Sequence, residues 1–293
     1  MLQQTVERIK PMIPEEQIMV VTNDGYVGLV KEQLPNLNDD LIIGEPVGRN
    51  TAPCVAIAAG ILHKRDPEAT MVVLPADHHI TKPEAFRDIL KTAVAQAEAG
   101  AHLVTLGIKP SRPETGYGYI EYDASSTQSV KGNNVNRVNK FTEKPDEETA
   151  RTFIEAGNYL WNSGMFIWSA QTILEEIEKQ LPRIDKALNQ ANDALQTPGQ
   201  KEAVDTFYHA CPSISIDYGV MENATSVYVV PGSFGWNDVG SWQAVYDLGE
   251  KDENGSVVSV ENAIEQESAN NYLKSNSGKL IATVGIENTA IVE

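Results

Sequence analysis

Apolar runs alternate with helical patterns over the first hundred residues, and this alternation constrains the fold more than any other feature. Runs such as those in QIMVVTN, LIIGE and TMVVLPADH each precede a segment with helical periodicity. Residues 83–100 illustrate that periodicity, because Pro83 suits a first helical turn, apolar residues form one stripe, and Gly100 follows the last of them. Alternating strands and helices predict an α/β fold, with a mostly parallel sheet and helices on both faces.

The pattern of the sequence changes after residue 110, from strand–helix alternation to short strands. ETGYGYIEYD and VNRVNKFTEKP predict short strands joined by Gly turns, which indicates an antiparallel excursion, and helical patterns return over residues 147–157 and 171–209. The tail from Gly255 is polar, rich in Asn and Ser, and contains short strands, with no internal repeat long enough for a solenoid. We therefore predict a Rossmann-like domain over residues 1–250 and the start of a β-rich C-terminal module over residues 251–293.

Charge excludes several classes of partner. The 293 residues include 23 basic and 41 acidic residues, a formal net charge of −18, which disfavours nucleic acid and anionic membrane surfaces. The sequence shows no signal-peptide pattern and no apolar run of membrane-spanning length, so we expect a soluble, cytoplasmic protein. Cys54 and Cys211 lack metal-ligand spacing, and we interpret them as buried free thiols.

The stretch IIGEPVGRNTAP joins a strand to a helix through an acid and a Gly-containing turn. The helix beginning at Thr51 offers unpaired N–H groups that favour an anion, whereas the Glu45 carboxylate requires hydrogen-bond donors. A ligand with a phosphate chain and a donor-rich head would satisfy both. We therefore predict that such a ligand binds at a segment that includes Glu45, Gly48, Arg49, Asn50 and Thr51.

Two aspartates are candidate ligands of a hard cation. Asp77 follows the apolar strand in VVLPADHH, and Asp238 lies between two tryptophans in FGWNDVGSW. Two carboxylates can hold one Mg²⁺ over a phosphate chain if the fold brings them together. The alternatives are that Asp77 caps a turn and that Asp238 begins a helix. Zinc is disfavoured, because His78 and His79 would point to opposite faces of a strand.

Three further stretches place polar groups where a ligand could meet them. FTEKP ends a strand with Glu143 and Lys144, WNSGMF inserts Asn162 into an apolar strand, and GYGYI contains Gly118 and Tyr119. A buried amide without a partner costs about 1–3 kcal/mol, so Asn162 is expected to pair with backbone or with a ligand hydroxyl. Gly–Tyr alternation allows close backbone approach to a ligand, but it is also typical of a plain hairpin.

Taken in order, EPVGRNTAP, LPADHHI, ETGYGYIEY, FTEKPD, WNSGMFIW, SIDYGVME and WNDVGSW resemble the motifs of the sugar-nucleotide pyrophosphorylases. The resemblance implies a Mg²⁺-dependent transfer of GMP from GTP to mannose 1-phosphate, which gives GDP-mannose and pyrophosphate. It also implies a cytoplasmic role in supplying activated mannose for polysaccharides and glycans. A homodimer contact is one role open to the β-rich tail.

The resemblance assigns roles to the candidate residues. It implies that Asp77 and Asp238 bind Mg²⁺, that Lys144 faces the sugar phosphate, and that the turn around Arg49 and Asn50 binds the nucleotide. The sugar contacts it implies are Gly118, Glu143 and Asn162, and we add Tyr119 beside Gly118. Guanine presents two donors on one edge, which a single carboxylate can accept, so we predict that Glu45 recognises the base.

One family motif is not found in the printed residues. Members of this family begin with a strand and a Gly-rich loop of the type G-G-x-G-T-R-L-W-P-L-S, and nothing similar precedes MLQQTVERI. We expect the printed residues alone to bind GDP-mannose weakly and to release no detectable pyrophosphate. The alternatives are a non-catalytic sugar-nucleotide-binding or regulatory protein and a nucleotidyltransferase for another sugar 1-phosphate, whereas a dehydrogenase would need a G-x-G-x-x-G that is missing here.

Overall fold

A computed structural model describes all residues 1 to 293 of the chain. The helices are α1 (Leu2–Ile9), α2 (Val27–Gln33), α3 (Thr51–Arg65), α4 (Pro83–Glu98), α5 (Glu147–Ala156), α6 (Ala170–Gln180), α7 (Pro182–Ala191), α8 (Gln200–Ala210) and α9 (Trp242–Leu248). The strands are β1 (Val20–Asn23), β2 (Ile42–Glu45), β3 (Thr70–Val73), β4 (His79–Ile80), β5 (Leu103–Ile108), β6 (Tyr119–Val130), β7 (Asn133–Thr142), β8 (Tyr159–Ser169), β9 (Val227–Gly232), β10 (Trp236–Asn237), β11 (Val257–Ser259), β12 (Ala263–Gln266), β13 (Tyr272–Lys274), β14 (Ile281–Val284) and β15 (Ala290–Val292). None of the helices is both long and apolar enough to cross a membrane.

The chain forms two compact units, Met1–Trp236 and Asn237–Glu293. The division falls before α9, which packs with the C-terminal strands: the Trp242 ring lies against Tyr272, with ring centroids 6.0 Å apart. The boundary at residue 250 that we infer from the sequence is therefore later than the division between the compact units. The predicted functional domain over residues 1–250 stays a prediction.

Six strands of the first unit form one sheet in the order β3-β8-β5-β9-β7-β6. The α/β class is confirmed, but the expectation of a mostly parallel sheet is wrong, because only β5 and β9 pair in parallel here. Strand β8 lies between β3 and β5 and runs antiparallel to both. Strands β1 and β2 form a separate parallel pair. Since β8 comes from much later in the chain, the local strand–helix alternation does not reveal its insertion.

Helices cover both faces of this sheet, as predicted. Successive side chains of a strand point to opposite faces of the sheet, so strand β8 contributes to the core on each face. Phe166 and Trp168 join one core with α3, α6, α7 and α8, whereas Met165 and Ile167 join a second core with α1, α2 and α4. The predicted apolar stripe of α4 lies in the second core, where Phe86 and other stripe residues are buried. Pro83 occupies the first turn of α4.

Strand β8 is irregular where the sequence NSGM interrupts it. Asn162 is paired with Gly107 and Phe166 with Thr105, so three residues of β8 stand opposite a single residue of β5. Gly164, within this bulge, has a φ of 68°, a conformation that favours glycine. Bulges redirect side chains and are common beside binding sites. This bulge lies at the carboxyl-terminal end of β5, the edge where ligands bind in sheets of this kind.

The second unit is a stack of parallel strands. Strand β13 pairs with both β11 and β15, and β12 pairs with β14, all in parallel register. The register places Val257 opposite Tyr272 and Tyr272 opposite Ala290, and the Asn270 N–H donates to the Asn254 carbonyl oxygen at 3.1 Å. The β-rich nature of this segment is confirmed. The interpretation that its sequence contains no repeat long enough for a solenoid stays a prediction.

Candidate functional site

Three strands bring Gly118, Glu143 and Asn162 together. The Asn162 N–H donates to the Gly118 carbonyl oxygen at 2.8 Å, and the Lys144 N–H donates to the Tyr117 carbonyl oxygen at 3.2 Å. A Cβ built on Gly118 would lie 3.3 Å from the Asn162 Cβ and well under 3.0 Å from Glu143 Oε2. The three residues predicted to contact a sugar therefore lie against one another, and the absence of a side chain at Gly118 leaves room for the Glu143 carboxylate.

The Asn162 side chain is held on both sides of its amide. Its Oδ1 accepts a hydrogen bond from the Gly164 N–H at 3.1 Å, and its Nδ2 donates to Asp217 Oδ1 at 2.9 Å. A backbone N–H can only donate, so the atom facing Gly164 must be the oxygen and the nitrogen must face Asp217. The alternative that Asn162 pairs with backbone is thus realised for its oxygen, while its second amide hydrogen remains for a ligand.

Glu143 is a buried acceptor without a donor. Its Oε2 is buried and has no hydrogen-bond partner. Burial, together with the nearby charge of Asp217, raises the pKa of Glu143 from 4.5 to about 7, although Lys144 acts in the opposite direction. Burial likewise raises the pKa of Asp217, against the opposing effect of the Asn162 hydrogen bond. The carboxyl groups of Glu143 and Asp217 therefore favour an uncharged ligand that carries hydroxyl donors.

The other two predicted residues of this region differ in their position. Lys144 is exposed beside the carboxylates, and its φ of 48° places a non-glycine residue in the left-handed region. The Tyr119 side chain is fully buried and packs against Phe153, with ring centroids 5.5 Å apart. The structure does not place the Tyr119 ring with Glu143 and Asn162, because alternate residues of β6 point to opposite faces.

Glu45 ends β2 near the Tyr208 hydroxyl and the Cys54 thiol. Its Oε1 is buried without a hydrogen-bond partner. Burial raises the pKa of Glu45, and the nearby Tyr208 hydroxyl lowers it by a smaller amount. Burial and the Glu45 charge raise the pKa of Cys54 to about 12, so this free thiol stays protonated. Glu45 thus provides an acceptor that a donor-rich ligand could satisfy, and its role in recognising a base stays a prediction.

The turn after Glu45 uses many of its polar groups internally. The Thr51 N–H donates to Asn50 Oδ1 at 2.9 Å, and the Ala52 N–H donates to the Ile214 carbonyl oxygen at 3.1 Å. The Arg49 Nε donates to the Tyr208 carbonyl oxygen at 3.1 Å. These hydrogen bonds leave fewer donors at the start of α3 than the sequence suggests. The predicted anion at this helix end is correspondingly less favoured.

Asp77 lies in the turn that follows β3, at the carboxyl-terminal edge of the sheet. Its side chain is 82% exposed, and its Oδ1 lies 4.0 Å from His78 Nε2. The Trp236 Nε1 donates to His78 Nδ1 at 3.1 Å, which orients the histidine ring. Asp146, by contrast, caps α5 by accepting a hydrogen bond from the Thr149 N–H. The Asp77 carboxylate is therefore open to a ligand.

Asp238 belongs to the second unit. Its Oδ1 accepts a hydrogen bond from the Gly240 N–H at 3.3 Å, and Val239 between them has a φ of 54°. Helix α9 begins at Trp242, and Ser241 caps it by accepting a hydrogen bond from the Ala244 N–H. The alternative that Asp238 begins the helix is therefore wrong. Joint binding of a metal ion by Asp238 and Asp77 stays a prediction.

No group of three His, Cys, Asp or Glu side chains in the chain is arranged to hold a metal ion. A cation at Asp77 would therefore need most of its ligands from water or from a bound molecule. Mg²⁺ is commonly held in this way, by one or two carboxylates and by phosphate oxygens. The exposed carboxylate of Asp77 fits that mode of binding, whereas it does not fit a cage formed by protein ligands alone.

Sequence reasoning missed Asp217 as a member of this site. Asp217 lies in the motif SIDYGVME, which we quoted for its family resemblance without giving any of its residues a role. It begins a π-helical turn, Asp217–Met221, and such turns are frequent at functional sites. The only local indication in the sequence is an acid among apolar residues. The contact of Asp217 with Asn162 cannot be inferred from the sequence, because it depends on packing between distant segments.

Comparison with known proteins gives a consistent family. Residues 1–255 match the family model described as nucleotidyl transferase. The chain is 42% identical over 296 residues to the alginate biosynthesis protein AlgA of Pseudomonas aeruginosa and 40% identical over 297 residues to a mannose-1-phosphate guanylyltransferase of Escherichia coli. These matches cover 100% of the chain but only 60% and 63% of the two relatives, so the chain spans less than two thirds of their length.

Solved structures agree on the fold. A Thermus thermophilus protein described as mannose-1-phosphate geranyltransferase superimposes with a TM-score of 0.86 at 30% identity, over 100% of this chain and 82% of that protein. A Helicobacter pylori protein described as mannose-6-phosphate isomerase superimposes with a TM-score of 0.66 at 24% identity, over 80% of this chain and 89% of that protein. The second similarity concerns the fold alone.

Proposed function

The chain belongs to the nucleotidyl transferase family, and from this premise we propose that it serves the transfer of GMP from GTP to mannose 1-phosphate, with release of GDP-mannose and pyrophosphate. Relatives at about 40% identity include a protein named for this activity. The transferred nucleotide and the sugar are the parts of the proposal that require evidence from the site itself.

The arrangement of Gly118, Glu143 and Asn162 is the observation that carries the proposal. A buried carboxylate oxygen without a donor and an amide with one unused hydrogen lie together beside Gly118, and we propose that they bind hydroxyl groups. A sugar hydroxyl both donates and accepts, so it can satisfy the carboxylate and the amide together. An apolar ligand would leave both groups unpaired, at a cost of about 1–3 kcal/mol each.

The proposed transfer of GMP requires the protein mainly to position the substrates and to neutralise charge. The attacking group is a phosphate oxygen that is already an anion, so no side chain is needed as a general base. The rate then depends on in-line alignment and on neutralising charge around the phosphates. Lys144, exposed beside the sugar pocket, supplies a positive charge where the phosphate of a bound sugar would lie.

Asp77 is the residue of the first unit that we propose as a Mg²⁺ ligand, with Asp238 as the second. The exposure of Asp77 at the sheet edge supports this role. When bound, Mg²⁺ would supply neutralisation of the phosphate charges. The carboxylate of Asp77 would hold that ion and so fix where the phosphate charge is neutralised.

Glu45 is our candidate for recognising the guanine base. Its buried and unpaired Oε1 supports this assignment, because guanine offers adjacent N–H donors that a carboxylate can accept. We place the reaction in the cytoplasm, with GTP and mannose 1-phosphate as the partners. The net charge of −18 argues against nucleic acid and anionic membranes as partners.

Two measurements test the proposal. Calorimetric titration should show tighter binding of GDP-mannose than of UDP-glucose, and Glu143→Gln should weaken that binding. Glu147→Gln is a matched control, because Glu147 is exposed on α5 and pairs only with Arg151 of the same helix. In a longer version that carries the Gly-rich loop of the family, a coupled assay should detect pyrophosphate release that requires both GTP and mannose 1-phosphate, whereas residues 1–293 alone should show none.

The outcomes separate the alternatives. Binding of GDP-mannose without turnover in the longer version would favour a non-catalytic sugar-nucleotide-binding protein. A preference for glucose 1-phosphate over mannose 1-phosphate would favour a nucleotidyltransferase for another sugar. Equal binding of GDP-mannose and UDP-glucose, unaffected by Glu143→Gln, would refute the proposed pocket.

A further inference from the structure

Asp217 is fixed in place by hydrogen bonds that also hold the turn before α3. The Ile214 N–H donates to the Arg49 carbonyl oxygen at 3.2 Å, and the Ile216 N–H donates to Thr51 Oγ1 at 2.9 Å. Ile216 is buried in the core beneath this segment. The short chain segment that ends at Asp217 therefore joins the predicted nucleotide turn to the predicted sugar pocket.

Within the pocket, Asp217 determines what Asn162 can offer. The hydrogen bond of 2.9 Å from Asn162 Nδ2 to Asp217 Oδ1 occupies one amide hydrogen, and the Gly164 N–H occupies the amide oxygen. The Thr105 hydroxyl also donates to that oxygen, at 3.3 Å. With its oxygen already paired, Asn162 can act toward a ligand only as a donor through its second amide hydrogen.

We propose that Asp217 is a positioning residue for sugar recognition: its hydrogen bond with Asn162 Nδ2 holds the amide whose oxygen pairs with the Gly164 N–H, so that the second amide hydrogen is presented as a donor beside the Glu143 acceptor. This inference rests on the proposed function. A sugar hydroxyl can accept from Asn162 and donate to Glu143, so the pair of groups matches the hydroxyls of a sugar. Without Asp217 the amide would lose the acceptor that holds it in this position.

The charged groups that act on the Glu143 carboxyl include Asp217 itself. Asp217 and Glu222 are the acids that act on the Glu143 carboxyl, and Lys144 is the base that acts on it. Tyr218 lies near these acids and is half exposed. Removing the Asp217 charge should therefore lower the pH at which Glu143 loses its proton. Because this effect reports the charge alone, positioning is tested by comparing Asp217→Asn, which keeps an acceptor for Asn162, with Asp217→Ala, which has none.

Binding of GDP-mannose and of mannose 1-phosphate to the full chain tests the proposal by calorimetry. Asp217→Ala should weaken both by about tenfold or more, the loss expected for one hydrogen bond to a charged group. Asp217→Asn keeps an oxygen that can accept from Asn162, so it should stay within about threefold of the wild type and shift the pH dependence of binding downward. Binding of GTP should be unchanged in both variants.

Asp185→Ala is the matched control. Asn189 Nδ2 donates to Asp185 Oδ2 at 3.0 Å on the exposed side of α7, so this variant removes the same kind of hydrogen bond away from the pocket. Thermal unfolding of each variant identifies any that fail to fold; if Asp217→Ala fails, Asp217→Leu, which keeps the volume but offers no acceptor, replaces it in the comparison with Asp217→Asn.

The possible failures are distinguishable. If the wild type binds neither sugar compound, the proposed function fails and this inference fails with it. If the wild type binds them and Asp217→Ala binds equally well, only the inference is overturned. The inference is also overturned if a folded Asp217→Asn is as weak as Asp217→Ala, because the retained acceptor would then have no effect.

Discussion

Substitution of Gly118 by alanine tests the sugar pocket most directly. The added Cβ would lie well under 3.0 Å from Glu143 Oε2 and 3.3 Å from the Asn162 Cβ. Carbon–oxygen contacts are about 3.3–3.6 Å even when they are favourable, so the carboxylate must move. The backbone of Gly118 does not require glycine, because its φ lies outside the left-handed region. The variant should therefore fold and displace one functional group.

The expected effect on binding is large, and the effect on stability is small. Functional groups must lie within about 0.5 Å of their productive positions, and a misplacement of about 1 Å can cost on the order of 100-fold. We expect binding of mannose 1-phosphate to weaken by about 10- to 100-fold. Replacing glycine stabilises a protein by about 0.4–1 kcal/mol through the unfolded state, which offsets part of the local strain.

The assay compares Gly118→Ala with Gly28→Ala. Gly28 lies on the exposed surface of α2, and a Cβ there would have nothing within 4 Å. Calorimetry with mannose 1-phosphate and GTP, together with thermal unfolding, should show selective loss of the sugar compound in Gly118→Ala alone. If that variant binds mannose 1-phosphate within about twofold of the wild type, Gly118 does not border the sugar and the pocket is misassigned.

Three other predictions follow from the site. The raised pKa of Glu143, about 7, means that the folded protein binds this proton more tightly than the unfolded chain, so thermal stability should rise as pH is lowered from about 8 to 5, and Glu143→Gln should lose that part of the rise in unfolding scans. Glu45→Gln should weaken GTP binding by the equivalent of about 1.5–3 kcal/mol while leaving UTP unchanged, and an unchanged preference in parallel titrations would remove Glu45 from the base pocket. In a full-length version that carries the Gly-rich loop, Asp77→Asn and Asp238→Asn should each abolish Mg²⁺-dependent pyrophosphate release, and normal turnover in a magnesium titration of either variant would exclude that acid as a ligand.

Local patterns in the sequence were sufficient to predict the helices and the class of fold. Helix α4 begins at Pro83 and buries its apolar stripe, as its periodicity predicts. Asp146 and Gly157 flank α5, where the aspartate caps the first turn and the glycine adopts a φ of 77° after the last. Such signals act within a few residues of one another, so they can be recognised from one short stretch of sequence.

Pairing between distant segments could not be predicted in the same way. Strand β8 is apolar and compatible with either direction, and only its partners β3 and β5 determine that it runs antiparallel. The candidate site has the same limitation. The residue types at Glu143 and Asn162 indicated polar groups at a strand end, whereas the contact between Asn162 and Asp217 joins residues 55 positions apart. The chemical role open to a side chain can be predicted from its residue type, but its hydrogen-bond partner can be identified only once the fold is known.

Backbone conformation alone does not identify the site. Asn50 has a φ of 65° and a ψ of −168°, and Lys144 has a φ of 48°, but positive φ values also occur at non-glycine residues elsewhere in the chain, namely Lys131, Gln196, Val239, Glu267, Asn270 and Asn288. The Asn50 side chain has a local role, because its Oδ1 accepts a hydrogen bond from the Thr51 N–H at 2.9 Å and caps α3. An outlier of this kind supports a functional role only when a separate observation accompanies it. For Lys144 that observation is its position directly after Glu143, whose pKa its charge lowers.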